Sequence, residues 1–214
     1  MAKITILGGT GYAGSNLVKA AASAGHEVTS FSRSRPDEEI EGVAYVSASV
    51  LEDGTLEHAI DGADVVVSAL APRGDLEGRT RGVLAQAAAL ATAKGVRFGV
   101  VGGAGSLFVA EGGPRLFDTE GFPDAIKPEA AEMAGVLDDL RASAPELDWF
   151  YVSPAAAFGA WAPGEATGEY RIGGDVLLTD ANGDSNISGA DFATAIIAEI
   201  EHPAHRRARF GVAY

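Results

Sequence analysis

The sequence predicts an α/β fold: a doubly wound parallel sheet with helices on both faces and small insertions at one edge. Three observations predict it. Short apolar runs alternate with segments of helical periodicity almost to the end of the chain, as parallel strands joined by helical crossovers require. The run at residues 64–69, Asp-Val-Val-Val-Ser-Ala, is apolar on both faces, as a strand covered on both sides must be. A glycine-rich turn, Gly8-Gly9-Thr10-Gly11-Tyr12-Ala13-Gly14, joins the first apolar run to the first helical segment.

The elements follow in order. Residues 4–7 form the first strand, and Ala13, Leu17, Ala21 and Ala24 recur at helical spacing until Gly25 supplies a stop. Strands are expected at 27–31, 43–46 and 64–69, and a long alanine-rich helix at 82–94 ends at Gly95. A fifth strand occupies 96–101. Pro128 suits the first turn of a helix carrying Ala130, Met133, Leu137 and Leu140 on one face. A sixth strand at 147–153 stops at Pro154. Ser188 and Asp191 have capping-box spacing, with Ile187 and Phe192 placed to staple the helix start. That helix runs to about residue 201 and a last strand to residue 214.

Two stretches, 102–127 and 154–186, break the rhythm with Gly, Pro and aromatic residues. Residues 170–172 and 176–178 read as a hairpin across Gly173-Gly174. Both insertions follow the carboxyl end of a strand, the edge where open α/β sheets bind ligands. The organisation is therefore one domain over 1–214 with two insertions on the ligand side.

Composition bounds the function. The formal charge of −14 opposes nucleic acid, whose phosphates it would repel. No apolar run reaches the ~20 residues of a membrane helix, and residues 1–3 lead straight into the first strand without a signal peptide. With no cysteine there is no disulfide or thiolate site. A cytoplasmic location is expected, with oligomeric state, monomer or homodimer, left open. The cluster His205-Arg206-Arg207-Ala208-Arg209 reads as a solvated linker in preference to an anion site. His26, His58, His202 and His205 lack carboxylates at ligand spacing, so no metal is expected.

The glycine turn carries the chemistry. Gly9, Gly11 and Gly14 fit G-x-G-x-x-G: a tight turn, close backbone approach to a pyrophosphate, and close helix–strand packing. Phosphates then meet unpaired N–H groups at a helix N-terminus. This is the dinucleotide-binding turn of a Rossmann-like fold. An NAD site usually adds Asp or Glu about 20 residues on, at the tip of the second strand. Here that tip reads Ser30-Phe31-Ser32-Arg33-Ser34-Arg35, and the carboxylates come only beyond Pro36. Arg33, with Arg35 as second candidate, suits a 2′-phosphate, so NADP(H) is favoured over NAD(H). The competing reading makes both arginines solvated loop residues.

The chain resembles the atypical and extended short-chain dehydrogenases. More closely it is similar to bacterial NADH–flavin reductases, grouped with NAD(P)H-binding proteins akin to biliverdin-IXβ/flavin reductase. The resemblance spans nearly the whole chain. It rests on GGTGYAG at 8–14, DVVVSAL at 64–70, VVGGAGSL at 100–107, KPEA at 127–130, LDWFYVSPAA at 147–156, and the YRIGGDVLLTD and SNISGADFA segments. It implies a Rossmann fold, a nicotinamide cofactor and a flavin acceptor. The family label says NADH where Arg33 points to NADPH.

The Tyr-x-x-x-Lys pair of ordinary short-chain dehydrogenases is absent. Four positions beyond Tyr12, Tyr45, Tyr151 and Tyr170 stand Asn16, Ser49, Ala155 and Gly174, and Tyr214 is terminal. Lys127 survives in the right region, but position 123 is proline. Carbonyl and sugar-nucleotide chemistry thus lose their usual acid–base machinery. Hydride transfer to a flavin suits this absence, because the cofactors carry the electronic chemistry and the protein holds two flat rings face to face.

Candidate walls are Leu70-Ala71-Pro72-Arg73 with Ala69 before them, Gly102-Gly103-Ala104-Gly105-Ser106, and Ser153-Pro154-Ala155. Ser106 and Lys127 are the catalytic candidates, as a hydrogen-bond donor and a residual cation. Arg73, Phe108, Phe158 and Trp161 are the substrate-side candidates, the aromatics for stacking or simply for packing their loops. The leading expectation is an NAD(P)H-dependent reductase of a small-molecule acceptor, flavin or quinone-like, with FMN or FAD as substrate and not as a tightly bound group. The alternatives are a non-catalytic NADP-binding redox sensor and a sugar-nucleotide epimerase or dehydratase.

Overall fold

A computed structural model describes residues 1–214. Its sheet has eight strands: β1 (Lys3–Leu7), β2 (Glu27–Ser32), β3 (Ala44–Ser47), β4 (Val65–Ser68), β5 (Arg97–Val101), β6 (Trp149–Ser153), β7 (Arg171–Gly173) and β8 (Ala208–Ala213). Their order is β3-β2-β1-β4-β5-β6-β8-β7. Every pairing is parallel except β7 with β8. Chain direction across the sheet reverses between β1 and β4, which creates a crevice at their carboxyl ends.

Helices α1 (Tyr12–Ser23) and α5 (Gly189–Glu201) cover one face, while α2 (Thr55–Ile60), α3 (Thr80–Lys94) and α4 (Lys127–Ala142) cover the other. The first layer buries Leu17, Val18, Phe192 and Ile196 against Ile4, Ile6, Val152 and Phe210. The second buries Leu84, Ala87, Met133 and Leu137 against Leu7, Val66, Phe98 and Tyr151. Strands β4, β5 and β6 are buried at every position, as the continuous apolar runs predict.

The Ser188 cap is present, its Oγ accepting from the Asp191 N–H at 3.1 Å. The reciprocal half of the box is not. Asp191 is buried and accepts instead from the Thr167 N–H at 2.7 Å, the Gly168 N–H at 3.2 Å and the Tyr214 hydroxyl at 2.6 Å. It thereby ties the second insertion to α5.

Two expectations are corrected. Residues 170–172 do not pair with 176–178; β7 instead adds to the free edge of β8, and Leu177 N–H and Phe108 N–H bond across to Phe108 O and Asp175 O. The turn fails because Asp175 is anchored by Arg209 Nε at 2.6 Å and Arg141 Nη2 at 2.7 Å, which fixes the chain after Gly174 against the first insertion. The 205–209 cluster is no solvated linker either. His205 bonds Glu199, Arg206 pairs with Asp148, and Arg207 donates to the Ser143, Ala144 and Leu147 carbonyls. Arg209 is 7% exposed. No helix is long and apolar enough to cross a membrane.

Candidate active site

The turn between β1 and α1 is built by contact. Gly8 has φ of +83°, a left-handed conformation that favours glycine. A methyl group at Gly14 would overlap the Gly8 carbonyl oxygen, and one at Gly9 would overlap Ser30 Oγ. At Gly11 the same methyl would meet nothing nearer than Gly8 O at 3.4 Å, so that face is open for a ligand to approach the backbone. Gly11 caps α1 without a side-chain hydrogen bond, and no acidic residue stands in the first turn. The N–H groups of Tyr12, Ala13 and Gly14 find no acceptor within the chain. Unpaired donors, the positive end of the helix dipole and an open Gly11 fit a dinucleotide pyrophosphate.

Two hollows flank this turn along the carboxyl edge of the sheet. One, about 290 Å³, lies between the tips of β1, β2 and β4 and is lined by Gly8, Thr10, Ser32, Arg33, Leu51 and Asp75 among others. The other, about 360 Å³, runs over the ends of β4, β5 and β6. Gly11, Ala69, Leu70, Ala71 and Arg73 line both, so the two form one trough. A hollow of about 420 Å³ on the flank between α3 and α4 is larger but includes no strand end and none of the glycine turn.

In the smaller hollow, Thr10 N–H donates to Ser32 Oγ at 3.1 Å, tying the turn to the tip of β2. Arg33 reaches across to Asp75, Nη1 to Oδ2 at 2.9 Å. Both side chains are about 70% exposed, at 70% and 71%, so the pair is held loosely. Arg35 points away, paired with Glu39 at 2.7 Å and with the Tyr45 carbonyl.

The larger hollow gathers Tyr12, Ala13, Gly102, Gly103, Ser106, Pro154, Phe158 and Trp161 from the sequence candidates. Gly102 lies so close over the Tyr151 ring that a methyl group there would overlap it. Tyr151 donates to Met133 O at 3.1 Å, and burial pushes its phenol up to about 12. Behind the hollow, Arg209 Nη1 donates to both Ser106 O and Ser106 Oγ at 3.0 Å, holding the short turn at Ala104–Ser106. Burial lowers the Arg209 guanidinium from its usual range, against the opposing pull of Asp175. Ser106 is 4% exposed, and its hydroxyl hydrogen-bonds the Tyr151 phenol as well as accepting from Arg209.

Six candidates lie outside both linings, Gly9 and Gly14 because they pack inside the turn against Ser30 and Gly8. Lys127 pairs with Asp124 at 2.7 Å. Phe108 bridges Arg115 and Val176, packing the insertions together. Ser153 is fully buried beneath the end of β6 and Arg35 is engaged elsewhere.

Other lining residues were not singled out from sequence. Phe122 and Ile126 come from the first insertion, and Glu129 and Met133 from α4. Glu129 grips Arg73 with two hydrogen bonds, Oε2 to Nε at 2.7 Å and Oε1 to Nη2 at 3.0 Å. Met133 carries the i, i+4 signal of a core residue, which concealed its second role. Asp75 had no signal at all.

A sequence model for NAD(P)H-binding proteins matches residues 8–203, from the glycine turn to the end of α5. The chain belongs to this NAD(P)H-binding family. Among relatives, the uncharacterized Bacillus subtilis protein YwnB is 39% identical over 212 residues, covering 98% of this chain and 97% of its own. A proposed epimerase from Bacteroides thetaiotaomicron has a TM-score of 0.89 at 36% identity, covering 100% of this chain and 97% of its own. A proposed NADH-flavin reductase from Streptococcus pneumoniae has a TM-score of 0.82 at 33% identity, covering 100% and 99%. The two structural relatives carry different activity names on one fold, so activity must be argued from the site.

Proposed function

We propose that the protein is an NAD(P)H-dependent reductase that prefers NADPH and delivers hydride directly to a flat acceptor, a free flavin or a quinone. One observation carries this reading: the larger hollow has apolar walls and no Tyr–Lys pair, and its one lining carboxylate, Glu129, is tied to Arg73 by two hydrogen bonds. Its one tyrosine, Tyr12, has its hydroxyl engaged by the Gly189 N–H and the Pro163 carbonyl, and no lysine lines it. An epimerase or carbonyl reductase needs a group there to move a proton at carbon or oxygen.

Reduced nicotinamide, when bound, supplies the hydride. The chain's own residues bind and orient. The N–H groups of residues 12–14 take the pyrophosphate, and Arg33 exchanges Asp75 for a 2′-phosphate. Ala69, Leu70, Ala71, Gly102, Gly103 and Pro154 give a flat, water-excluding floor, with the buried Ser153 supporting Pro154. Phe158 and Trp161 face the acceptor ring, and Ser106 turns its hydroxyl from the Tyr151 phenol to donate a hydrogen bond to that ring or to the carboxamide. The catalytic contribution is proximity and desolvation.

Aerobic NADPH oxidation, measured with and without riboflavin, FMN, FAD and quinones, tests the proposal. Stimulation by at least one flat acceptor is expected. Tight NADP⁺ binding with no stimulation by any acceptor overturns it in favour of a non-catalytic sensor.

A further inference from the structure

The trough divides its charge unevenly. At the glycine turn the donors are unpaired and face the pyrophosphate. Around the acceptor hollow nothing positive is free. Its ionisable lining side chains are Arg73, Glu129 and the Tyr12 phenol, and both Glu129 oxygens neutralise Arg73 at 2.7 and 3.0 Å. The next cations along the first insertion are also paired, Lys127 with Asp124 at 2.7 Å and Arg115 with Asp138 at 3.7 Å. The two insertions, residues 102–127 and 154–186, carry nine carboxylates against three basic side chains, and Asp124 and Asp175 are the two of these carboxylates that pair with cations. The chain as a whole stands at −14.

From this we infer that the acceptor is an uncharged planar ring without a phosphate, such as a quinone or an unphosphorylated isoalloxazine, and that FMN and FAD are discriminated against by charge. The inference rests on the reductase reading and narrows its substrate class. A neutral ring gains from the apolar walls and from Phe158 and Trp161. A phosphate at the mouth meets an acidic field and no free cation, so it is repelled in approach and unpaired once bound. The anionic cofactor escapes the same penalty because its phosphates reach the helix N-terminus on the far side of Gly11.

Binding tests this directly. Trp161 is 74% exposed in the hollow whereas Trp149 is 1% exposed in the core, so ligand-dependent emission reports on the site, and Trp161→Phe verifies its origin. With NADP⁺ saturating, riboflavin, menadione and FMN are titrated at ~0.01 M and ~1 M salt, where the Debye length falls from ~30 to ~3 Å. Riboflavin and menadione are expected to bind about tenfold or more tighter than FMN at low salt, with the gap closing at high salt. Glu129→Gln frees the Arg73 charge and is expected to narrow the FMN-to-riboflavin ratio several-fold, by roughly the strength of one charge-assisted hydrogen bond. FMN binding as tightly as riboflavin at low salt, with NADPH oxidation stimulated by flavins, overturns this inference and leaves the reductase intact. Absence of stimulation by every acceptor overturns the reductase reading itself.

Discussion

The Tyr12 hydroxyl accepts a hydrogen bond from the Gly189 N–H at 3.0 Å, joining the glycine turn to the start of α5. The same hydroxyl donates to Pro163 O at 3.0 Å, and the ring meets Phe158 edge-on at 5.2 Å. One side chain thus links the glycine turn to the loop that carries Phe158 and Trp161. Tyr12→Phe keeps the ring and removes both bonds. A partly buried N–H loses its partner, so a cost of about 1–2 kcal/mol is expected. Thermal denaturation measures it, and acceptor KM is expected to rise more than kcat falls.

The turn itself admits no side chain at Gly14, where a methyl group would strike the Gly8 backbone. Gly14→Ala is expected to weaken NADP⁺ binding about tenfold or more, since backbone must shift where phosphate is held. At Gly9 the obstacle is Ser30 Oγ, a side-chain atom. Gly9→Ala in a Ser30→Ala background is therefore expected to bind NADP⁺ better than Gly9→Ala alone. Titration calorimetry with circular dichroism as a fold check measures both.

Arg33 decides cofactor preference in this account. Arg33→Ala removes one charge-assisted contact and is expected to weaken NADPH about tenfold and to leave NADH within about twofold. Asp75→Asn removes Arg33's competing partner, 2.9 Å away, and is expected to tighten NADPH modestly. Competitive titrations of NADP⁺ and NAD⁺ against the two variants give the ratio.

Stability is expected to fall on the acid side. For Asp191, burial pushes the carboxyl up, but hydrogen bonds from Tyr214, Thr167 and Gly168 outweigh it and hold it below the usual value. For Glu199, burial again pushes up and the Arg97 and His205 contacts prevail. A carboxylate depressed in the folded state stabilises above its unfolded value, and that contribution is lost as pH falls through the folded one. Stability attributable to these groups is therefore expected to hold above about pH 5 and decline below about pH 4. Glu199→Gln leaves Arg97, 7% exposed and 2.6 Å from Glu199, with only the longer Asp148 contact at 3.6 Å to balance its charge. It is expected to cost about 2–3 kcal/mol, read from chemical denaturation at neutral pH.

Much of this was legible in the chain itself. Strands β4, β5 and β6 announce themselves by unbroken apolar runs, and the glycine turn by spacing, because both follow from local steric rules. Helix α2 has only six residues, too few to show a period. Strand β7 was misread because Gly173-Gly174 looks like a turn, while the partner that decides its place is the distant edge of β8. Arg209 was invisible for the same reason. Its burial depends on Asp175 and Ser106, 34 and 103 positions away. The acceptor side was legible only in part: Phe158 and Trp161 line the hollow, but Lys127 and Phe108 do not, and Glu129 is placed there by its pairing with Arg73, 56 positions away.

Anaerobic mixing of the protein with NADPH and riboflavin tests the central claim most directly, with nicotinamide and flavin absorbance followed together. The account predicts that both fall in step, mole for mole, at a rate proportional to protein and far above the protein-free reaction. NADPH that binds but is not consumed, with riboflavin or with menadione, would contradict it.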